Sequence, residues 1–266
     1  MKRFFSFLMT LLTVFVISSE TLNGEVKLPA IFGDNMVLQQ KTEAAIWGTA
    51  SINSTVKVTT SWNHKSYSAR CGSDGKWKLK VATPSAGGPY EVSVSDGTKL
   101  KLKNVMIGEV WVCSGQSNME MPMKGYTNQP IAGSNETIAT SSNPAIRLFT
   151  VEKSTSLLPL DGFTGTWENC EPENVSEFSA TAYFFGLMLN RVLKVPIGLI
   201  NSSWGGTRIE PMISENEFKK LQSKGVIETI NETYEALTES AMTEFYNEKT
   251  GLVLPADAGG DAIFFD

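Results

Sequence analysis

The feature that most constrains this chain is an abrupt change of texture between Val105 and Pro122, where VMIGEVWVCSGQSNMEMP runs from apolar to small and polar within a few residues. Val110, Trp111, Val112 and Cys113 form a run too short for an independent helix and rich in β-branched and aromatic side chains, so it reads as a buried strand. Ser114 and Gly115 stop it, and Gly115-Gln116-Ser117-Asn118 has the composition of a tight turn. The carboxyl end of a central strand is where open α/β sheets place their ligands. Ser117 then stands at the mouth of a sheet, as nucleophilic catalysis requires of a hydroxyl on a rigid element beside backbone N–H donors. The string is not a G-x-S-x-G elbow, because Met119 occupies the second position after the serine. Taken bare, a serine in a Gly-containing turn is more often a structural feature than a nucleophile.

The texture on either side of this stretch divides the chain. From Glu25 to Asn104 it is β throughout, with alternation in Val56 and Val58, in Trp77, Leu79 and Val81, in Tyr90, Val92 and Val94, and in Leu100 and Leu102. Ser-Asp-Gly turns stand at Ser73 to Gly75 and Ser95 to Gly97, and short strands at this spacing predict a small β-sandwich over residues 25–104. Trp77 is expected in its core, while Trp62 and Tyr67 are the aromatics that an accessory sugar site would use. After Asn104 strands alternate with helices, which predicts an α/β domain with a largely parallel sheet over residues 105–266. Its further elements are a strand at Ala145 to Val151, a helix from Ser176 to Leu193 and a strand at Ile197 to Ile200. The helix is expected to pack on the sheet through Phe178, Ala182, Phe185, Leu189 and Val192. The last strand delivers the loop Asn201 to Thr207, and Ser214 to Glu217 is a capping box that opens an acidic helical region to about Tyr246.

At these residues the sequence resembles the sialate O-acetylesterase family, a carbohydrate-esterase branch of the SGNH/GDSL-like hydrolases. Four blocks in the family's order carry the resemblance: LPAIFGDNMVLQQ at Leu28 to Gln40, GEVWVCSGQSNMEMP at Gly108 to Pro122, AYFFGLMLNRVL at Ala182 to Leu193 and VPIGLINSSWGGTRIE at Val195 to Glu210. It implies a three-layer SGNH-hydrolase-like domain behind the β-sandwich, with Ser117 as nucleophile. It also implies that the SSWGGT loop supplies an oxyanion-hole glycine at Gly205, with Gly206 the near alternative. Trp204 either walls the pocket or is core, and Gln116 and Asn118 either orient substrate or shape the turn. The expected reaction removes O-acetyl groups from sialic acid through an acetyl-enzyme on Ser117. Acetylated xylan, another glycan, a pectin or a lipid ester are alternative substrates, and a non-catalytic glycan-binding protein is the alternative class.

The family's QGESN-like block and its late Asp-x-x-His block, which carries the base, have no counterpart in these residues, so the resemblance implies a C-terminally truncated copy and a poor esterase. The single histidine, His64, sits in WNHKSYSAR of the β-module, where alternation makes it an ordinary strand residue. Neither a metal-ligand spacing nor a phosphate-cradling loop is present, so no metal or cofactor is implied. A formal net charge of −5 argues against nucleic acid or an anionic membrane as partner, and the resemblance implies an O-acetylated sugar or sialoglycan.

Lys2 and Arg3 precede an apolar run from Phe4 to Ile17 and a small or polar exit to Gly24, the pattern of a signal peptide over residues 1–24 and of an exported, periplasmic or secreted protein. About 240 residues then remain, enough for both modules. Cys71, Cys113 and Cys170 are too few for a disulfide scaffold, and Cys113 is expected as a small core residue. Sequons stand at Asn53, Asn135, Asn174, Asn201 and Asn231, and Asn201 at a strand end is expected to be structural.

Overall fold

The structure is a computed structural model that describes residues 25–156, 160–208, 212–214, 216–217 and 219–220. The signal-peptide expectation, the acidic helical region beyond the capping box and Asn231 lie outside the described residues. Of the capping box itself, the Ser214 hydroxyl accepts a hydrogen bond from the Glu217 amide at 3.3 Å.

The chain opens with β1 (Val37–Gln39), β2 (Glu43–Thr49), β3 (Thr55–Thr60), β4 (Ser66–Arg70), β5 (Lys76–Ala82) and β6 (Gly87–Ser95). It then enters β7 (Lys99–Gly115), a strand of 17 residues. Strands β4, β3, β6 and β7 pair in that order as one antiparallel set, β1 pairs parallel to β7, and β2 and β5 form a separate two-stranded ribbon. The alternation seen in the sequence is what closes this sandwich. Val56, Val58, Val92 and Val94 from the sheet and Ile46, Trp77 and Val81 from the ribbon meet in one buried cluster, while the lysines between them face water. Trp62 and Tyr67 are tied to this module: the Trp62 indole N–H donates to the Ala82 carbonyl at 3.0 Å, and its ring meets Tyr90 edge-on at 5.6 Å. The Tyr67 hydroxyl accepts from the Ala82 amide at 3.3 Å.

The boundary read at residues 104 and 105 falls inside β7, whose second half leaves the sandwich and becomes part of a parallel sheet. Two short helices follow, α1 (Ser117–Glu120) and α2 (Ser134–Ala139), then β8 (Asn143–Thr150), β9 (Trp167–Cys170), α3 (Pro172–Glu177), α4 (Ala180–Leu193) and β10 (Ile197–Ser203). Strand β10 lies parallel between β7 and β8, with β9 antiparallel at the far edge. The result is a mixed α/β fold around a central sheet, the class expected. Helix α4 covers one face, where Cys113, Ile146, Leu148, Ala182, Tyr183, Ile197 and Leu199 form a second buried cluster. On the opposite face Phe149 and Ile200 pack with Trp167 and Val37 into the sandwich core, so this layer is not helical among the described residues. Gly198 allows it, since a Cβ there would lie 2.8 Å from Val37 Cβ and 3.1 Å from the Trp167 ring.

Three expectations are corrected. The Val110 to Cys113 run is a strand, but only Cys113 is buried; Trp111 is 43% and Val112 68% exposed. Val110 donates to the Gln39 side chain at 2.9 Å, and past Gly108 no described strand pairs with β7 on the side that β1 occupies, so this part of the run is an edge. The helix predicted from Ser176 is two helices. Ser179 accepts from the Ala182 amide at 3.1 Å and caps α4, while Phe178 is extended, which breaks the chain there. The new start changes which face is buried: Ala182, Tyr183 and Gly186 face the sheet, whereas Phe185 is 40% and Val192 68% exposed. Phe185 instead meets Trp111 edge-on at 5.0 Å. His64 is in the turn after β3, at φ +55°, and not in a strand.

All three cysteines are buried free thiols. Cys170 donates to the Ser141 carbonyl at 3.0 Å, and burial pushes its pKa from 9.0 up to about 11. Because the folded pKa is raised, the neutral thiol favours the fold below pH 9, and that contribution is lost as the pH rises through about 11. Unfolding free energy is therefore expected to drop by roughly 2 kcal/mol across this window, read from urea midpoints. Cys170→Ala should flatten the drop, and an equal drop in that variant would contradict the assignment. A second expectation concerns the joint in β7. A Cβ at Gly108 would run into the Pro196 backbone carbonyl, so Gly108→Ala should cost about 1–3 kcal/mol, while Val112→Thr on the exposed edge should cost under about 0.5. Equal costs would show that the β7–β10 approach is not tight at this point.

Candidate active site

The site is built at the carboxyl ends of β7 and β10, which run side by side with Asn201 opposite Cys113 and Ser203 opposite Gly115. Gly115 carries φ +154°, and a Cβ there would press on Met119 Cβ at 3.2 Å, so a residue without a side chain is needed for the strand to turn into α1. The turn is closed by the Gln116 carbonyl, which accepts from the amides of Met119 and Glu120 at 3.0 and 2.9 Å. Ser117 thus opens α1, half-buried, and its hydroxyl hydrogen-bonds no described residue. Asn118 is exposed; its carbonyl accepts from the Thr181 hydroxyl at 2.8 Å and so ties the seryl turn to α4.

The second loop is brought to the first by backbone bonding. The Trp204 amide donates to the Gly115 carbonyl at 2.9 Å, continuing the β7–β10 ladder into the turn. The Gln116 side-chain amide donates to the Thr207 carbonyl, and the Thr207 hydroxyl to the Trp204 carbonyl at 2.9 Å. These bonds seat Gly205 directly against the serine: a Cβ at 205 would lie 3.5 Å from Ser117 Cα and 3.6 Å from Ser117 Cβ. Gly206, at φ +77°, faces open space and lets the turn reverse. Trp204 is half-buried beside it. Asn201 is buried under this loop, where it accepts from the Ser203 hydroxyl at 2.7 Å.

Two residues that carried no expectation complete the arrangement. The Glu120 carboxylate accepts the Gly205 N–H, so the amide expected to stand open to a ligand is already engaged. The same carboxylate is ion-paired with Lys153, which reaches over from the β8–β9 connection and places its ammonium 5.7 Å from the centre of the Trp204 ring. Partial burial works to raise the Glu120 carboxyl, but the Lys153 ammonium and the Gly205 amide outweigh it and hold the group below the usual carboxylate value. Glu120 was within reach of a sequence reading, three residues after the serine in a one-turn helix; Lys153 was not, because nothing in a polar connection marks which cation folds back.

Ser117, Gln116, Asn118, Trp204, Gly205 and Gly206 are therefore brought into one place, and His64 is not. Thr60, which opens the turn carrying His64, is level with Val92 and Leu102, so more than ten residues of extended strand separate that level from Ser117. Among the described residues no group of three or more His, Cys, Asp or Glu could hold a metal ion.

No protein-family model matches the chain. It is 33% identical over 209 residues to the sialate O-acetylesterase of Rattus norvegicus, a match covering 71% of this chain and 38% of the relative. To the sialate O-acetylesterase of Homo sapiens it is 31% identical over 212 residues, covering 73% and 40%. Among solved structures it resembles a carbohydrate acetylesterase from Xanthomonas citri, with a TM-score of 0.67 and 33% identity, over 75% of this chain and 44% of that one. The chain spans about two fifths of the length of the curated relatives it matches.

Proposed function

We propose that this relative of the sialate O-acetylesterases is a carbohydrate O-acetylesterase that works through Ser117. The observation that carries the reading is the placing of the Gly205 turn beside Ser117 at the end of two parallel strands. A hydroxyl so placed is held by the turn between a strand and a helix, with the main chain of a second loop beside it.

In the reaction, the Ser117 oxygen forms a bond to the acetyl carbonyl carbon while a base accepts its proton, and the carbonyl oxygen becomes an oxyanion held by backbone donors near Ser117. Collapse of the tetrahedral species breaks the bond to the sugar oxygen, which takes the proton and leaves as a free hydroxyl. Water then adds to the acetyl-serine and releases acetate. The Ser117 hydroxyl has neither imidazole nor carboxylate as a partner among the described residues, so the base is assigned to none of them. Trp204 and the exposed Gln116 and Asn118 flank the place where the sugar would lie.

The names of the relatives support O-acetylated sialic acid as substrate, and the Xanthomonas neighbour supports an acetylated carbohydrate in the wider sense, with acetylated xylan as the second reading. Export to the periplasm or medium is part of the same proposal, supported by the charged start and apolar run from Lys2 to Ile17. The test is hydrolysis of an aryl acetate, O-acetylated sialic acid and acetylated xylan by the 266-residue chain and its Ser117→Ala variant. Ser117→Ala is expected to remove the turnover, leaving at most about 10³–10⁴-fold over the reaction in water. Turnover unchanged in Ser117→Ala would reject the serine mechanism, and binding of these sugars without turnover would favour a glycan-binding role.

A further inference from the structure

The bonds at Trp204 and Thr207 hold the two ends of the second loop, and Gly205 between them is held by a contact of its own. Gly205 is glycine, so it has no side chain to anchor it, and Gly206 beside it touches nothing within 4 Å of where its own Cβ would be. Three bonds reach the turn from the seryl side, and the one from the Gln116 side chain to the Thr207 carbonyl fixes its end. Another is the backbone bond from Trp204 to Gly115, which fixes the start of the turn. The third is the bond from the Gly205 amide to Glu120, which fixes the residue beside Ser117.

Glu120 is well suited to this. It is the last residue of the four-residue helix that Ser117 begins, so its backbone is tied to that of the serine by one helical turn. Its side chain is 21% exposed, much less than the 47% of Lys153, and its carboxylate is shared between an amide from the β10 loop and an ammonium from the β8–β9 connection. Three segments far apart in sequence therefore close on one carboxylate. Lys153 is braced in turn over the Trp204 ring, which returns the contact to the residue preceding Gly205.

The ionised carboxylate has a consequence for the chemistry. An ester oxygen gaining negative charge at the Gly205 N–H would compete with a full negative charge already hydrogen-bonded there, and like charges at such range repel strongly. Glycine at 205 is thus explained by Glu120 twice over: a Cβ there would lie 2.5 Å from the Glu120 carboxylate oxygen, and the N–H donates to that same oxygen.

We propose that Glu120, braced by Lys153, is the positioning residue that holds the Gly205 backbone against Ser117, and that its carboxylate, not an ester oxygen, is the resting partner of the Gly205 N–H. The catalytic part of this statement rests on the esterase reading; the contact itself does not.

The 266-residue chain labelled with ¹⁵N-glycine tests both parts, with the Gly205 resonance assigned by its loss in Gly205→Ala. Lys153 is the charged group that acts on Glu120, so the Gly205 resonance is expected to shift with pH at a midpoint below that of an ordinary glutamate. The shift should vanish in Glu120→Gln, which keeps the shape and an acceptor, and its midpoint should rise in Lys153→Met. In ester hydrolysis Glu120→Gln should lower kcat/KM by about ten- to a hundredfold, as for a misplaced site wall. A Gly205 resonance that ignores pH, or that titrates equally in Glu120→Gln, overturns the contact. Wild-type kcat/KM for Glu120→Gln at every pH overturns the positioning role. Unchanged hydrolysis in Ser117→Ala is a different result: it rejects the serine-esterase reading, and the Gly205 resonance still decides the pair.

Discussion

Strand β7 is shared by two sheets, and the rest of the architecture depends on that sharing. Its first half, to about Ile107, is hydrogen-bonded into the sandwich through β6 and β1; its last seven residues pair with β10 in the parallel sheet. A single extended segment of 17 residues thus transmits the rigidity of one hydrophobic cluster into the other. The joint is tight at Gly108, which lies against Pro196 on one side and pairs with Gln39 on the other. Glu109 is held there by the side chains of Gln39 and Gln40 at 3.0 and 2.7 Å, hydrogen bonds that keep its carboxyl below the usual range. The β-module is thereby the anchor of the strand that leads to Ser117.

At the other end of β7, position is translated into a chemical setting by two glycines and one acid. Gly115 lets the strand break into α1, and Gly205 leaves room for the Glu120 carboxylate beside the serine. Glu120 joins the two, drawing on an ammonium from a third segment. Hydrogen bonds to a charged group are stronger than neutral ones, and a partly buried carboxylate loses less of that strength to water than an exposed one. The contacts that join the two loops are long in sequence, 85 residues between Glu120 and Gly205 and 91 between Gln116 and Thr207.

Much of this was legible in the sequence where a residue's neighbours in sequence decide its structure. The alternation in Val56 and Val58, Trp77 to Val81 and Val92 and Val94 translated directly into strands with one face buried, and Ser117 and the Gly205 turn were placed at strand ends by the change from apolar to small residues. What was not legible depends on partners. The 110–113 run reads as buried because Trp111 and Val112 are apolar, yet burial is decided by what lies beside β7, and at Val112 that side is open among the described residues. The helix from Ser176 reads as continuous because its apolar spacing survives across Phe178, but the Ser179 cap restarts it and rotates the buried face from Phe185 to Tyr183 and Gly186. Strand β9 was hidden because only Trp167 and Cys170 of its four residues are buried. Lys153 belongs to the same class, a long-range ion pair with no local signature.

The most direct measurement of the central claim, that β7 delivers Ser117 as the nucleophile, is acid-quench peptide mass spectrometry on the chain mixed with O-acetylated sialic acid or an activated acetyl ester. The account predicts one added acetyl group, confined to the peptide that contains Ser117 and absent from the Ser117→Ala chain. An acetyl group on a different serine, or hydrolysis that proceeds with no acetylated peptide at any quench time in either substrate, would contradict it.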